Sequence, residues 1–260
     1  MMKFYKYQGT GNDFIMINGL SNPKSLTIGE DTIAKLCSRR FGIGADGLII
    51  LCPAEQADFK MLYFNSDGRE SSMCGNGGRC IAQFAFDQGV SGRQASFEAV
   101  DGMHRSKVLE NGTVEIEMID VDQCSKIDDH TFELNTGSPH YVKFSTEFEA
   151  IDIVTFGRSI RYSDKYNDDG INVNLSSFDN GVLHVKTYER GVEDETYSCG
   201  TGVTAAAICA SEYIDNSKNS FNIKSKGGDL TVRFQKEGNQ YKNIWLCGPA
   251  TFVFEGQLHI

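Results

Sequence analysis

Proline is scarce, with four residues among 260, and no stretch is low in complexity, which excludes collagen-like repeats, Pro-rich linkers and disordered tails. Long apolar runs are missing too. Nothing approaches the roughly 20 residues a membrane-spanning helix needs, and the polar start MMKFYKYQGTGNDF has no signal-peptide core. The expectation is a cytoplasmic protein with no membrane partner. No run of Lys or Arg stands out, and 35 acidic against 25 basic residues give a net charge of -10. Without a positive stripe to follow a phosphate backbone, nucleic acid is not an expected partner. The eight cysteines come with no Cys-x-x-Cys or His-rich spacing, which speaks against zinc. Spread along a chain without export signals, they read as free thiols, most of them small buried hydrophobes.

What the sequence does contain is a repeat. Setting Met73-Cys74-Gly75-Asn76-Gly77-Gly78-Arg79-Cys80 over Ser198-Cys199-Gly200-Thr201-Gly202, at an offset of 125 with no gap, pairs the two cysteines. Gly75 then meets Gly200 and Gly77 meets Gly202. Tyr63 falls on Tyr188, Glu70 on Glu195, and Ala82 and Ala85 on Ala207 and Ala210, so seven of the 25 positions from 61 to 85 are identical. The offset is close to half the 260 residues, which reads as an ancient duplication with one cysteine per half.

Strand-like runs are expected at 3–7 and 14–17 around the turn Gly9-Thr10-Gly11-Asn12-Asp13, then at 47–51 and 59–65, with a helix over 28–41 stopped by Gly42 and Gly44. The run from Cys80 to Phe86 is apolar on more than one face, which predicts a helix enclosed by strands. Alternation at 95–99, 105–109 and 113–119, with Asp101-Gly102 and Asn111-Gly112 between, predicts a meander. Alternation lapses across the polar stretch 120–129, the best boundary. The second half repeats the grammar: strands at 132–135 and 141–144, a short helix at 151–162, strands at 172–175 and 182–188, an Ala-rich helix over 203–213, and strands at 221–224, 229–234, 243–246 and 250–254. The expected fold class is α+β, two pseudo-symmetric halves, each a strand-rich barrel-like sheet around a central helix. The halves are 1–121 with Cys74 and 122–249 with Cys199, the stretch 250–260 being able to pack back on the first, with the ligand in the cleft between them.

Each cysteine stands at the start of a predicted helix, where unpaired N–H groups and the positive end of the dipole stabilise a thiolate. The glycines one and three places on leave those N–H groups open to a ligand carboxylate. Two thiols on opposite sides of one carbon could remove a proton from one face and return one to the other, as a racemase or epimerase does. Other readings are two buried structural cysteines whose glycines only shape the helix start, and a peroxide-sensitive thiol pair.

End to end, the segments GTGNDF, RRFGIGADG, NSDGRESSMCGNGGRC, TGSPH, INVN and YERGVEDETYSCGTG resemble the diaminopimelate epimerase family. The resemblance implies that fold, interconversion of LL- and meso-2,6-diaminopimelate for lysine and peptidoglycan synthesis, no metal and no cofactor such as pyridoxal phosphate, and a homodimer. It implies Cys74 and Cys199 as the acid/base thiols, with His140 and Glu189 as an auxiliary polar pair. It also implies substrate contacts from Asn12, Asn65, Asn172, Glu189 and Arg190, and the N–H groups of Gly75, Asn76, Gly200 and Thr201 on the carboxylate. A planar guanidinium such as Arg190 can grip a distal carboxylate in bidentate fashion. The chain departs from the pattern at Ser138, where many members have Asn and where a shorter hydroxyl would reach substrate only through water, and at Gly47, where some have Gln. A related group, the proline racemases and hydroxyproline epimerases, uses the same two-thiol logic, but is expected to carry His where this chain has Asn76.

Overall fold

A computed structural model describes residues 2–21, 27–71 and 73–258. Ser72 of the first cysteine motif and residues 259–260 of the C-terminal stretch lie outside the described residues. The chain forms two compact units, 1–116 with 248–260 and 117–247.

In the first unit, β1 (Met2–Gly9) turns into β2 (Asn12–Asn18) through Thr10 and Gly11, both at positive φ. After α1 (Glu30–Cys37), β3 (Gly47–Cys52) runs parallel to β2 with Phe14 opposite Gly47, and β4 (Phe59–Asn65) returns antiparallel. The helix α2 (Gly75–Asp87) leads to β5 (Gln94–Ala99), parallel to β4, and the meander ends with β6 (Gly102–Val108) and β7 (Thr113–Glu117).

The second unit repeats this order. The strands β8 (Cys124–Asp128), β9 (Thr131–Asn135) and β10 (Pro139–Phe144) are antiparallel neighbours. After α3 (Ile153–Arg161), whose Asp152 caps the Thr155 N–H at 2.8 Å, β11 (Asn172–Asp179) runs parallel to β10, with His140 opposite Asn172. Then β12 (Val182–Glu189) returns antiparallel, β13 (Asp194–Thr196) adds a short rung, and α4 (Gly200–Tyr213) follows. The strand β14 (Ser220–Ser225) is parallel to β12, and β15 (Gly228–Glu237) and β16 (Gln240–Pro249) close the meander. The last strand, β17 (Thr251–Leu258), belongs to the first unit, where it pairs antiparallel with β1, Met2 opposite Leu258.

Each unit wraps its sheet around one helix, as the apolar patterns require. Every residue of α2 from Gly75 to Ala82 is buried, as are Phe84 and Ala85, and Phe84 packs its ring against Tyr5 and Tyr7. Ala205, Ala206, Ala207 and Ala210 of α4 have no exposed surface, so strands approach it closely. Each large apolar side chain buried this way contributes about 1.5–3 kcal/mol.

The observed α1 is shorter than the expected 28–41, because the Ile43 and Gly44 N–H groups fold back onto the Leu36 carbonyl at 2.9 and 3.0 Å and end the helix early. Gly44 makes that turn at φ +81°, where a Cβ would lie 2.9 Å from the Arg39 Cα. Within the polar stretch 120–129, β8 forms although alternation lapses, since it lies along one side of β9 with four of its five residues exposed. Among the described residues, no helix is long and apolar enough to cross a membrane.

Candidate functional site

Cys74 is the N-cap of α2, extended at φ -97°, ψ 131°, with its carbonyl accepting from the Gly78 N–H at 2.7 Å. The N–H groups of Gly75, Asn76 and Gly77 thus fall in the first turn, which has no intrahelical acceptors. The Cys74 thiol lies 3.6 Å from Asn12 Oδ1, which also accepts from Asn76 Nδ2 at 3.3 Å. Asn12 is held in that orientation by Asp46, whose carboxylate takes its Nδ2 at 2.6 Å. Asp46 accepts from Arg39 at 2.6 Å, Arg39 grips Asp13 through both terminal nitrogens, and Lys6 lies 2.8 Å from Asp13. Burial alone would raise the Asp13 pKa, but hydrogen bonds from Arg39 and Lys6 outweigh it and bring it down to about 2. Fully buried Arg79 donates to Asn76 Oδ1 at 2.9 Å, Thr10 Oγ1 at 3.1 Å and the Gly75 carbonyl at 3.3 Å. Asn65 is exposed at the end of β4, its backbone N–H on the Arg69 carbonyl at 2.9 Å. Gly47 has no room for a side chain, because a Cβ would lie 2.5 Å from the Phe64 carbonyl and 2.6 Å from the Tyr63 ring.

Cys199 caps α4 in the same way, at φ -109°, ψ 114°, its carbonyl accepting from Val203 at 2.9 Å. Its thiol lies 3.4 Å from Thr201 Oγ1, and Thr136 donates to the Thr201 carbonyl at 2.9 Å. Where α2 meets Ile49 and Met61 at Gly77, α4 meets polar groups at Gly202: Asn174 Oδ1 and Thr187 Oγ1. Thr187 donates to Asn174 Oδ1 at 2.8 Å, and Asn174 Nδ2 lies 3.0 Å from His140 Nδ1 and 3.2 Å from the Tyr141 carbonyl. His140 is fully buried, and burial, reinforced by the positive charge of Arg190, pushes its pKa down to about 3. Asn172 Nδ2 donates to Ser138 Oγ at 2.7 Å and to the Pro139 carbonyl at 3.1 Å, while its Oδ1 accepts the Arg190 N–H at 2.9 Å. The exposed Arg190 side chain donates to the Asp169 carbonyl at 2.9 Å. Glu189 is half-buried at the end of β12, and its carbonyl accepts from Val192 and Glu193.

The structure therefore gathers Asn12, Cys74, Gly75 and Asn76 at one helix start, and Ser138, His140, Asn172, Glu189 and Arg190 at neighbouring ends of β10, β11 and β12, with Cys199, Gly200 and Thr201 at the start of α4. Burial pushes the thiols of Cys37 and Cys52 up to about 11 and that of Cys80 up to about 12, and raises that of Cys209 as well. They stay protonated at neutral pH.

The sequence profile described as diaminopimelate epimerase matches residues 4–124 and 132–253. A diaminopimelate epimerase of Flavobacterium psychrophilum is 48% identical over 257 residues, covering 98% of this chain and 99% of that protein. The chain belongs to the diaminopimelate epimerase family. Solved structures extend the likeness in fold alone. A Bacillus anthracis phenazine biosynthesis protein of the PhzF family matches with TM-score 0.72 at 15% identity, covering 100% of this chain and 99% of that one. A probable proline racemase of Agrobacterium radiobacter K84 matches with TM-score 0.71 at 15% identity, covering 100% and 93%. The expected α+β fold of this family is thus the observed one.

Reading the sequence missed the groups that hold the motif residues: Asp46, Arg39 and Asp13 around Asn12, and Asn174 and Thr187 around His140. One signal was available. Thr10-Gly11-Asn12 and Thr136-Gly137-Ser138 repeat at an offset of 126, and both threonines are buried against the residue two places after a motif cysteine.

Proposed function

We propose that this chain interconverts LL- and meso-2,6-diaminopimelate, without metal or pyridoxal phosphate, for lysine and peptidoglycan precursor synthesis. Cys74 and Cys199 are the acid/base pair: one thiolate takes the α-proton and the other thiol returns a proton to the opposite face. The observation that carries the reading is the pair of cysteines N-capping equivalent, Gly-opened helices in a member of this family. In each, first-turn N–H groups, those of Gly75 and Asn76 and those of Gly200 and Thr201, suit the substrate carboxylate, where they offset the charge that develops as the α-proton leaves. Asn12, Asn65, Asn172 and Arg190 take the polar ends of the substrate, with Glu189 and His140 as auxiliary groups and Ser138 acting on substrate through Asn172 or water.

The direct test is incubation with LL-diaminopimelate in heavy water, following loss of the α-hydrogen together with the isomer ratio. Exchange coupled to appearance of the meso form is expected; no exchange and no isomer would exclude the reading and favour a thiol switch. A panel including proline and hydroxyproline separates it from the racemases of related fold.

The protein works in the cytoplasm as a homodimer. The family resemblance suggests both, and the homodimer is further supported by β17, which leaves Phe252, Val253 and Phe254 between 44% and 51% exposed. Light scattering on a sizing column should give twice the chain mass for the wild type and the chain mass for Phe254→Asp; a monomeric wild type would refute it.

A further inference from the structure

The hydrogen bonds around Asn174 determine which nitrogen of His140 carries the proton. Amide orientations are assigned from their partners, and here the partners leave one choice. The Tyr141 carbonyl, 3.2 Å away, can only accept, so the atom facing it is the amide nitrogen. Thr187, bonded at 2.8 Å to the other atom, donates to the amide oxygen. The same amide nitrogen lies 3.0 Å from His140 Nδ1, so Nδ1 accepts. A neutral ring that accepts at Nδ1 carries its proton on Nε2. Nε2 is buried and has no hydrogen-bond partner among the described residues, and leaving a buried donor unpaired costs about 1–3 kcal/mol. A donor kept in that state is completed by an acceptor that arrives with the ligand or forms during the reaction, a carboxylate oxygen or a thiolate.

We propose that Asn174 is a positioning residue for the epimerisation inferred above: it locks His140 in the Nε2–H tautomer, so that His140 serves as a neutral hydrogen-bond donor and not as a proton acceptor. Thr187 fixes Asn174 in turn. The first turn of α4 fits over this chain, since Gly202 leaves the space next to Asn174 Oδ1 and Thr187 Oγ1 empty. Burial, with Arg190 adding to it, keeps the ring uncharged at neutral pH. The first unit has no counterpart, because the positions 125 residues before Asn174 and Thr187 are Ile49 and Leu62.

The test reads the ring itself. Long-range proton–nitrogen spectra of the intact protein labelled with 15N-histidine distinguish a protonated from an unprotonated ring nitrogen, and the His140 signals are those lost in His140→Gln. An unprotonated Nδ1 and a protonated Nε2, unchanged from about pH 5 to about pH 8, are expected; a proton on Nδ1, or a ring that titrates in that range, overturns the proposal. Asn174→Asp keeps the shape but offers His140 only acceptor atoms. It should move the proton to Nδ1 or charge the ring, and lower kcat about 10- to 100-fold with KM within about twofold. An Asn174→Asp protein that keeps the Nε2–H tautomer, or keeps wild-type kcat, also overturns it. If that variant does not fold, Thr187→Val and the wild-type spectrum still decide: loosening Asn174 in Thr187→Val should broaden or shift the Nδ1 signal, and an unaltered signal counts against the lock. These spectra need no substrate, so a wild type that fails to exchange the α-proton would remove the functional reading while leaving the tautomer assignment to stand or fall separately.

Discussion

Asn76 and Thr201 stand two places after their cysteines, yet their surroundings differ in charge. Asn76 is fully buried, shares Asn12 with the Cys74 thiol and takes a hydrogen bond from Arg79; Thr201 is half-buried and meets Cys199 through its own hydroxyl. At the position of Arg79 the second helix has Thr204, which bonds the Gly200 carbonyl at 2.8 Å as Arg79 bonds that of Gly75. A guanidinium in one copy and a hydroxyl in the other give the two helix starts different charge. Replacing either cysteine by Ser tests whether both are needed: Cys74→Ser and Cys199→Ser should each abolish isomer interconversion with an unchanged circular dichroism spectrum, since Ser is nearly isosteric but far harder to deprotonate. Full turnover by either variant would refute the two-thiol mechanism. The cysteines and glycines were legible in the sequence because a ligand-facing backbone needs those residue types at fixed spacing. Asp46 and Asn174 were not, because their roles consist of partners far along the chain: Asn12 lies 34 positions before Asp46, and His140 34 before Asn174.

At the scale of elements, α2 and α4 begin alike but rest on different floors. Gly77 is followed outward by the flexible tips of Ile49 at 3.1 Å and Met61 at 3.3 Å, whereas at Gly202 an added Cβ would meet Asn174 Oδ1 at 2.5 Å. Gly77→Ala should therefore cost less than about 1 kcal/mol, the gain in helix propensity offsetting slight crowding. Gly202→Ala should cost about 2–3 kcal/mol through overpacking of a hydrogen-bonded side chain. Urea unfolding of the two variants checks this; equal costs would show that the polar floor is not rigid. The strands were readable wherever one face is buried, because burial imposes alternation. That failed at β8, exposed at four of five positions, and at β13, only three residues long. The shortened α1 escaped for another reason: the helical pattern of side chains runs on while the backbone N–H groups of Ile43 and Gly44 are already taken by Leu36.

For the whole molecule, one half-buried and one buried group make stability fall in acid. Asp13 has a folded pKa of about 2 against an ordinary value of 3.8. The folded state then releases its proton more readily than the unfolded one, and the stabilisation, about 2 kcal/mol, is present above about pH 4 and disappears as pH drops towards 2. His140 has a folded pKa of about 3 against 6.5. It must gain a proton on unfolding, so its contribution is lost over the higher window, as pH falls from about 6.5 to about 3. Asp13→Asn should flatten the lower part of the stability–pH curve and leave the upper part; a curve parallel to wild type below pH 4 would show that Asp13 is not held as described.

The placement of β17 bears on how the chain is made. The strand that flanks β9 in the second unit, β8, is synthesised just before it, whereas β17, which flanks β1, follows the entire second unit. During synthesis the second unit therefore has all its strands while the first still lacks one edge, and the half that begins first is the half that finishes last. A chain stopped at residue 249 should expose β1 to protease while the second unit survives, and a circular permutant that joins 258 to 2 and opens near 119 would make both units continuous and remove the delay.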